Sequence, residues 1–95
     1  DSADLADANL EYANLTHATL QDAKLNGANL RHANLAFAHL QNAVLTGADL
    51  SGAYLVEANL IGANLTGANL IDAELSGATW WDGRTCQAPS IGRCD

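Results

Sequence analysis

Leucine occurs at every fifth position of the chain from residue 5 to residue 75, and an alanine lies two positions before each leucine. Trp80 takes the next place in the leucine series. The repeating unit is therefore Ala-x-Leu-x-x. A helix would turn its apolar side by about 140° with each unit of this length, so no helical face would stay buried. In an extended segment, residues two apart share a face, and each unit therefore predicts a very short strand followed by a two-residue corner.

The second corner residue is, in most units, of a type that tolerates turn dihedrals. Glycine or a short polar residue occupies this place at Gly27, Gly47, Gly52, Gly62, Gly67, Gly77, Asp7, Asp22, Asn42, Asp72 and Asp82. Short strands joined by such corners predict a parallel coil, in which each strand pairs with the strand one turn later, about 4.8 Å away. The backbone groups are then satisfied between turns, and the leucines form ladders inside.

The charges indicate how many sides the coil has, because stacked residues avoid like charge. At a spacing of 15 or of 25 residues, two pairs of acidic residues would lie on one another. At a spacing of 20 residues no like-charge pair occurs, and Asp4 meets Lys24 while Glu11 meets Arg31. Four sides therefore fit the charges best.

The uninterrupted Ala-(Asp/Asn)-Leu-x-x series resembles the pentapeptide-repeat family over residues 1 to about 82. The resemblance implies an all-β fold, a right-handed quadrilateral parallel β-helix of about four coils. It also implies that each leucine and the alanine two residues before it point inward. The expected core ladder includes Leu5, Leu25, Leu45, Leu65, Leu10, Leu30, Leu50 and Leu70.

The repeat ends in a segment of different composition, which contains Pro89 and both cysteines. We expect two parts, with 1–82 forming the β-helix and 83–95 forming a C-terminal capping tail. A stacked coil needs a cap because its end exposes an unpaired edge and an open core. Trp80 and Trp81 are the expected cap residues, since a large ring in the leucine ladder covers the core. A pair of tryptophans that stacks on a ligand is the alternative.

Cys86 and Cys94 are the only cysteines of the chain. An even count in a small chain suggests a disulfide, which indicates an oxidising compartment. The ending also resembles the tails of exported members of the family. We therefore expect an extracytoplasmic location, in a periplasm, an organelle lumen or outside the cell. Two free thiols in a cytosolic protein are the alternative, whereas a zinc site lacks further ligands in the tail.

The composition bounds the class of protein. The chain has 95 residues, 11 acidic against 4 basic, and a net charge of −7. Such a chain forms one domain, and its charge would repel DNA phosphates and anionic lipid. No apolar run is long enough for a membrane helix. The first residues lack the pattern of a signal peptide, so we expect that any such segment has been removed.

The candidates for chemistry do not converge. His17, His32 and His39 fall on different sides of the four-sided coil, so neither a metal site nor an acid–base site is expected. Asp72 and Glu74 flank one alanine on a flat exposed face, which offers nothing to separate their pKa values. We therefore predict no enzymatic activity, no metal and no cofactor.

Apolar residues that point outward cluster in the second half of the repeat region. Tyr54, Val56, Ile61 and Ile71 form a possible interaction patch, although single exposed apolar residues are also common on surfaces. The sequence therefore favours a non-catalytic structural or protein–protein interaction module, monomeric, with an unidentified protein partner and no direct contact with nucleic acid or membrane.

The alternative function comes from the resemblance. Some pentapeptide-repeat proteins are similar to duplex DNA in size and charge, and these bind DNA gyrase and other type II topoisomerases and protect them from quinolones. That mechanism needs long acidic stripes. Here the segment 23–56 carries a net charge of +1 and interrupts the acidic series.

Overall fold

The chain winds into a coil whose successive turns pair side by side. The structure, a computed structural model, describes residues 3–95, and within this range there is no helix, so none that could cross a membrane. Each unit contributes a single bridging residue, the one before the leucine, rather than a longer strand. The parallel bridges run from Asp4 with Lys24 to Asn59 with Thr79, and each joins residues twenty positions apart. One turn of the coil therefore contains four five-residue units.

Four faces result from this winding. Faces 1, 2, 3 and 4 are the stacks of units that begin at Ala3, Ala8, Ala13 and Ala18, repeated every twenty residues. Backbone hydrogen bonds join the turns in both directions. The Leu5 N–H donates to Lys24 O at 2.7 Å, and the Lys24 N–H donates back to Ala3 O at 2.8 Å. The same two bonds recur along the coil, so a segment only one residue wide is held on both sides.

Alanine and leucine fill the interior. Leu25, Leu30, Leu45 and Leu50 are fully buried. The ladder residues at the two ends, Leu5, Leu10, Leu65 and Leu70, are only partly buried. Burial is therefore complete in the middle of the stack and incomplete at both ends.

The corners are tight turns with one left-handed residue. The Ala8 N–H donates to Leu5 O at 3.0 Å and closes the turn, and the second corner residue, Asp7, has a φ of 59°. A positive φ at this place is that of a type II turn, which favours glycine or asparagine. Larger residues also adopt it here, including Tyr12 and Phe37 with φ of 62° and 61°. The repeated backbone pairing thus imposes the corner conformation even on residues that rarely adopt it.

The asparagines that precede leucine stabilise these corners. The Oδ1 of Asn69 accepts a hydrogen bond from the Ile71 N–H at 3.0 Å, and Asn29 and Asn59 accept the equivalent bonds at 3.1 Å. Such a bond satisfies a corner N–H that would otherwise have no partner in the turn. The asparagine ladder is therefore a series of corner braces.

Several glycines give room to the side chain of the turn before. His32 lies over Gly52 and Glu57 lies over Gly77, and a Cβ on either glycine would collide with the side chain that it faces. Aromatic pairs lie earlier in the same two series of corner residues, Tyr12 with His32 and His17 with Phe37. The rings of Tyr12 and His32 are 5.1 Å apart and nearly parallel. Corner residues twenty positions apart therefore form a column along the coil, here called a corner column, and neighbouring side chains in a column are matched in size or stack on one another.

Candidate functional site

The C-terminal tail folds back onto the last turn. Ile91 pairs with Glu74 and Thr85 pairs with Thr79, both antiparallel. The Leu75 N–H donates to Ser90 O and the Trp80 N–H donates to Arg84 O, each at 2.7 Å. The tail therefore adds a layer above faces 3 and 4, and it runs in the direction opposite to the turn beneath it.

A disulfide and a buried serine fix the shape of the tail. Cys86 and Cys94 are joined by a disulfide, and both are buried. Ser90 is fully buried, and its hydroxyl donates to Gln87 O and accepts the Asp95 N–H at 3.0 Å. The loop between the cysteines is therefore closed by a covalent bond and by hydrogen bonds within the tail.

The tail covers only half of the end of the core. Leu75 on face 3 is fully buried, and Trp80 on face 4 is 8% exposed. Leu65 on face 1 and Leu70 on face 2 remain partly exposed. Trp81, the second tryptophan expected to cap the core, is 51% exposed and lies at the corner between faces 4 and 1.

The uncovered half of the end, residues 63–72, presents unpaired backbone groups and is named the open edge. Elsewhere in the coil, the N–H of a leucine donates to the turn after it. The carbonyl of the alanine two residues before that leucine accepts an N–H from the same turn. Within residues 3–95, the N–H groups of Leu65 and Leu70 and the carbonyls of Ala63 and Ala68 have no hydrogen-bond partner. Unpaired edge groups of this kind are a template for pairing with another chain.

Two clefts lie along the open edge. One, of about 500 Å³, is lined by Leu65, Leu70, Trp80 and Trp81 together with small and polar residues. The other, of about 730 Å³, lies between Ile71 and the tail, where Pro89, Ile91, Gly92, Arg93 and Asp95 form its wall. The open edge therefore combines free backbone groups with apolar side chains.

The residues of the expected interaction patch are exposed but do not share one face. Tyr54 on face 3 is 47% exposed, Ile61 between faces 4 and 1 is 44% exposed, and Val56 is half-buried between faces 3 and 4. Ile71, at 65% exposed, lies between faces 2 and 3 beside the tail. The patch therefore wraps around the second half of the coil.

The clearest electrostatic feature is a group of three charged residues on the first half of the coil. Arg31 lies 3.9 Å from Glu11 and 3.6 Å from Asp49. The Ser51 hydroxyl donates to Asp49 at 2.7 Å and the Ser51 N–H does so at 3.0 Å. These bonds from Ser51, with a smaller contribution from Arg31, lower the pKa of Asp49 below its usual value.

The histidines lie apart and are engaged at the corners. His17 stacks on Phe37 with ring centres 5.1 Å apart, His32 stacks on Tyr12, and His39 lies on face 4. Across residues 3–95, no three histidine, cysteine or acidic side chains are close enough to hold a metal ion. Asp72 and Glu74 are both exposed.

Sequence reasoning did not find the open edge. The repeat predicts which residues face inward, but it carries no information on how far a non-repetitive tail extends over the end. One signal was present, because the ring closed between Cys86 and Cys94 shortens the reach of the segment that follows the repeat.

The comparisons with known proteins agree with this architecture. A model of pentapeptide repeats matches residues 1–36, 23–60 and 43–79, with 8 copies. The chain belongs to the pentapeptide-repeat family. The sequence resemblance is thereby confirmed, and the fold is the right-handed β-helix of that family. A search of curated protein sequences finds no match.

Solved structures of the family resemble this chain. Rfr23, a pentapeptide repeat protein from the cyanobacterium Cyanothece 51142, is 49% identical with a TM-score of 0.78; the match covers 79% of this chain and 51% of Rfr23. The protein alr5209 from Nostoc PCC 7120 is 47% identical with a TM-score of 0.55, over 76% of this chain and 64% of alr5209. The chain thus spans about half the length of Rfr23.

A third structure shares the fold alone. QnrB1, a plasmid-mediated fluoroquinolone resistance protein, is 20% identical with a TM-score of 0.52, over 97% of this chain and 56% of QnrB1.

Proposed function

We propose that the chain is a non-catalytic protein-interaction module, with 1–82 as a rigid β-helix of about four coils and 83–95 as its C-terminal cap. The observation that carries the proposal is the position of the exposed large apolar residues. Within residues 3–95, five of the seven exposed large apolar residues lie in the second half of the chain: Tyr54, Ile61, Ile71, Trp81 and Ile91. The other two, Tyr12 and Phe37, lie in the first half and stack on histidines. Exposed apolar residues grouped in one region favour binding to another protein.

A rigid scaffold suits this role. The interior is filled by alanine and leucine, so an exposed side chain sits on a backbone held by bonds to the turns on either side. Tyr54 is braced in this way. Its own N–H and carbonyl bond to Ala33 and Leu35 in the turn before, and the N–H of the adjacent Leu55 donates to Glu74 O in the turn after. A partner would therefore meet a preformed surface with little ordering cost.

Photo-crosslinking tests the patch. A photoreactive residue placed at Val56 is expected to capture one protein of defined mass in the native source. The double variant Tyr54→Ser with Ile61→Ser should abolish capture and leave the fold intact, since both side chains are about half exposed. Tyr12→Ser removes an exposed ring outside the patch and should change nothing. Undiminished capture by the double variant would remove the patch from the proposal.

We also propose that the protein works in an oxidising compartment, because its two cysteines form a disulfide. Intact mass spectrometry of protein from its native source tests this. The mass should be two hydrogen atoms below that of the dithiol, and alkylation should occur only after reduction. Immediate alkylation of both thiols would place the protein in a reducing compartment.

Binding to a topoisomerase is not proposed. The likeness to QnrB1 extends to the fold alone. In addition, Arg31 lies between Glu11 and Asp49 and offsets part of the negative charge at this place in the stack.

A further inference from the structure

We infer that the half-covered end is a self-complementary surface, on which a second copy of this chain binds by a two-fold axis to form a dimer. In this dimer, the tail of each copy occupies the open edge of the other. The inference goes beyond the proposed function, with which it shares exposed residues such as Ile71, Trp81 and Ile91, and its tests do not involve Tyr54 or Ile61. It replaces the monomer expected from the sequence.

The shape of the end carries the first part of the inference. The tail adds one layer above faces 3 and 4 and leaves faces 1 and 2 one layer lower. A two-fold axis across the end, through the corners between faces 4 and 1 and between faces 2 and 3, brings each raised half over the lowered half of the other copy. The two tails then complete a single layer between the two coils, which satisfies the isologous geometry of a two-fold interface.

The hydrogen-bonding groups match as well. Thr85 and Ile91 are the bridging residues of the tail, and within residues 3–95 neither their N–H groups nor their carbonyls have a backbone partner. The open edge offers two N–H groups and two carbonyls, those of Leu65, Leu70, Ala63 and Ala68. At each of the two units of the open edge, the tail of the other copy thus supplies one N–H donor and one carbonyl acceptor.

The chain directions agree with the pairing seen inside the coil. The tail runs antiparallel to the turn beneath it. The two-fold rotation turns the second copy upside down. Seen from the first copy, the units of the second copy therefore run around the coil axis in the opposite direction. The tail is therefore parallel to the open edge of the other copy, with Thr85 opposite Asn64 and Ile91 opposite Asn69. Parallel pairs with this bonding pattern join all the internal turns.

Side chains at the end are compatible with burial. Leu65, Leu70 and the tryptophans line the cleft that the second copy would close. The charges of the tail are already paired, since Arg93 lies 2.9 Å from Asp95 and Arg84 lies 3.5 Å from Asp82. Two such ends can therefore meet without an excess of one charge in the tail.

The expected affinity is modest. The molecule measures 31 × 23 × 22 Å, so its end offers roughly 500 Å² per copy, or about 1,000 Å² in total. This area is at the lower limit for a specific interface. Dimerisation should therefore depend on concentration over the micromolar to near-millimolar range.

Sedimentation analysis at increasing concentration tests the dimer. The wild type should approach twice the mass of one chain and then stop. Ile91→Pro should remain monomeric, because proline removes a donor that serves only the second copy and spares the bonds from Leu75 to Ser90 and from Gly92 to Ala73. Ile91→Ala is the matched control and should dimerise. A monomer at every concentration, or dimers of Ile91→Pro as stable as those of the wild type, would overturn the inference.

Amide hydrogen exchange of the unmodified protein gives a second test, which does not depend on the folding of a variant. When nine-tenths of the chains are dimeric, the amides of Leu65, Leu70, Thr85 and Ile91 should exchange about tenfold more slowly than in dilute protein. The amides of Asn9 and Asn14, which face the opposite end, are controls and should not change. Protection of Asn9 and Asn14, or growth beyond the dimer mass, would show head-to-tail stacking and contradict the inference.

Discussion

At the scale of the residue, one side-chain oxygen does the same work at many corners. In most units the residue before leucine is asparagine or aspartate, and its Oδ1 accepts the N–H two residues later, as Asn69 does for Ile71. Aspartate at this place adds a charge to the same brace. Asp49 shows the effect of the charge, because Ser51 and Arg31 both stabilise its ionised form.

The lowered pKa of Asp49 predicts a pH-dependent contribution to stability. A carboxylate whose pKa is lower in the folded state stabilises that state above its unfolded pKa, about 3.9, and loses this contribution as the pH falls through the folded pKa. Asp49→Asn keeps the Oδ1 brace and removes only the charge. The variant should therefore melt at a lower temperature than the wild type above about pH 5, and the difference should shrink below about pH 4.

Thermal melts of both proteins between neutral pH and low pH measure this difference. Asn14→Asp is a suitable comparison, because the Thr16 N–H and hydroxyl donate to position 14 as those of Ser51 do to Asp49. The bridge partner of position 14 is the neutral Asn34, so the new carboxylate does not lie on another charge. A gap between the wild type and Asp49→Asn that stays constant down to the lowest pH would show that the charge does not contribute.

At the scale of the element, each unit is too short to be stable as a strand and depends on its neighbours above and below. The hydrogen bonds of one unit go to units twenty residues away, and its leucine packs in a stack of leucines. Stability in such stacks is approximately a sum of nearest-neighbour terms, so a unit at an end has fewer of them. The two ends should therefore tolerate core substitutions better than the middle.

Truncation of leucines along face 1 tests this dependence. Leu45 is fully buried between two turns, so Leu45→Ala should cost about 2 to 5 kcal/mol of unfolding free energy. Leu5→Ala should cost clearly less, because Leu5 is already partly exposed. Equal losses at the two positions, measured by urea unfolding, would contradict a stack of interdependent turns.

At the scale of the whole molecule, the sequence predicts the repeated part well and the end poorly. The five-residue period identifies which residues are inside. The charge pairs predict the spacing of twenty residues at which backbone segments pair, as Asp4 does with Lys24 in a parallel β-bridge. The ion pair of Arg31 with Asp49 was not anticipated, because these residues are not twenty apart and meet across neighbouring positions. The half-covered end was missed for another reason, since the path of the tail depends on Ser90 and the disulfide rather than on a period.

Two different periods therefore coexist in the molecule, five residues for the core and twenty for the corner columns. Loss of five residues between His32 and Gly52 would leave every alanine and leucine inside. The corner residues after the deletion would move to a different column, however, and His32 would no longer lie over Gly52. Loss or gain of twenty residues would preserve both the core and the columns. In evolution, the length of such a rod should change most easily by insertion or deletion of one complete turn.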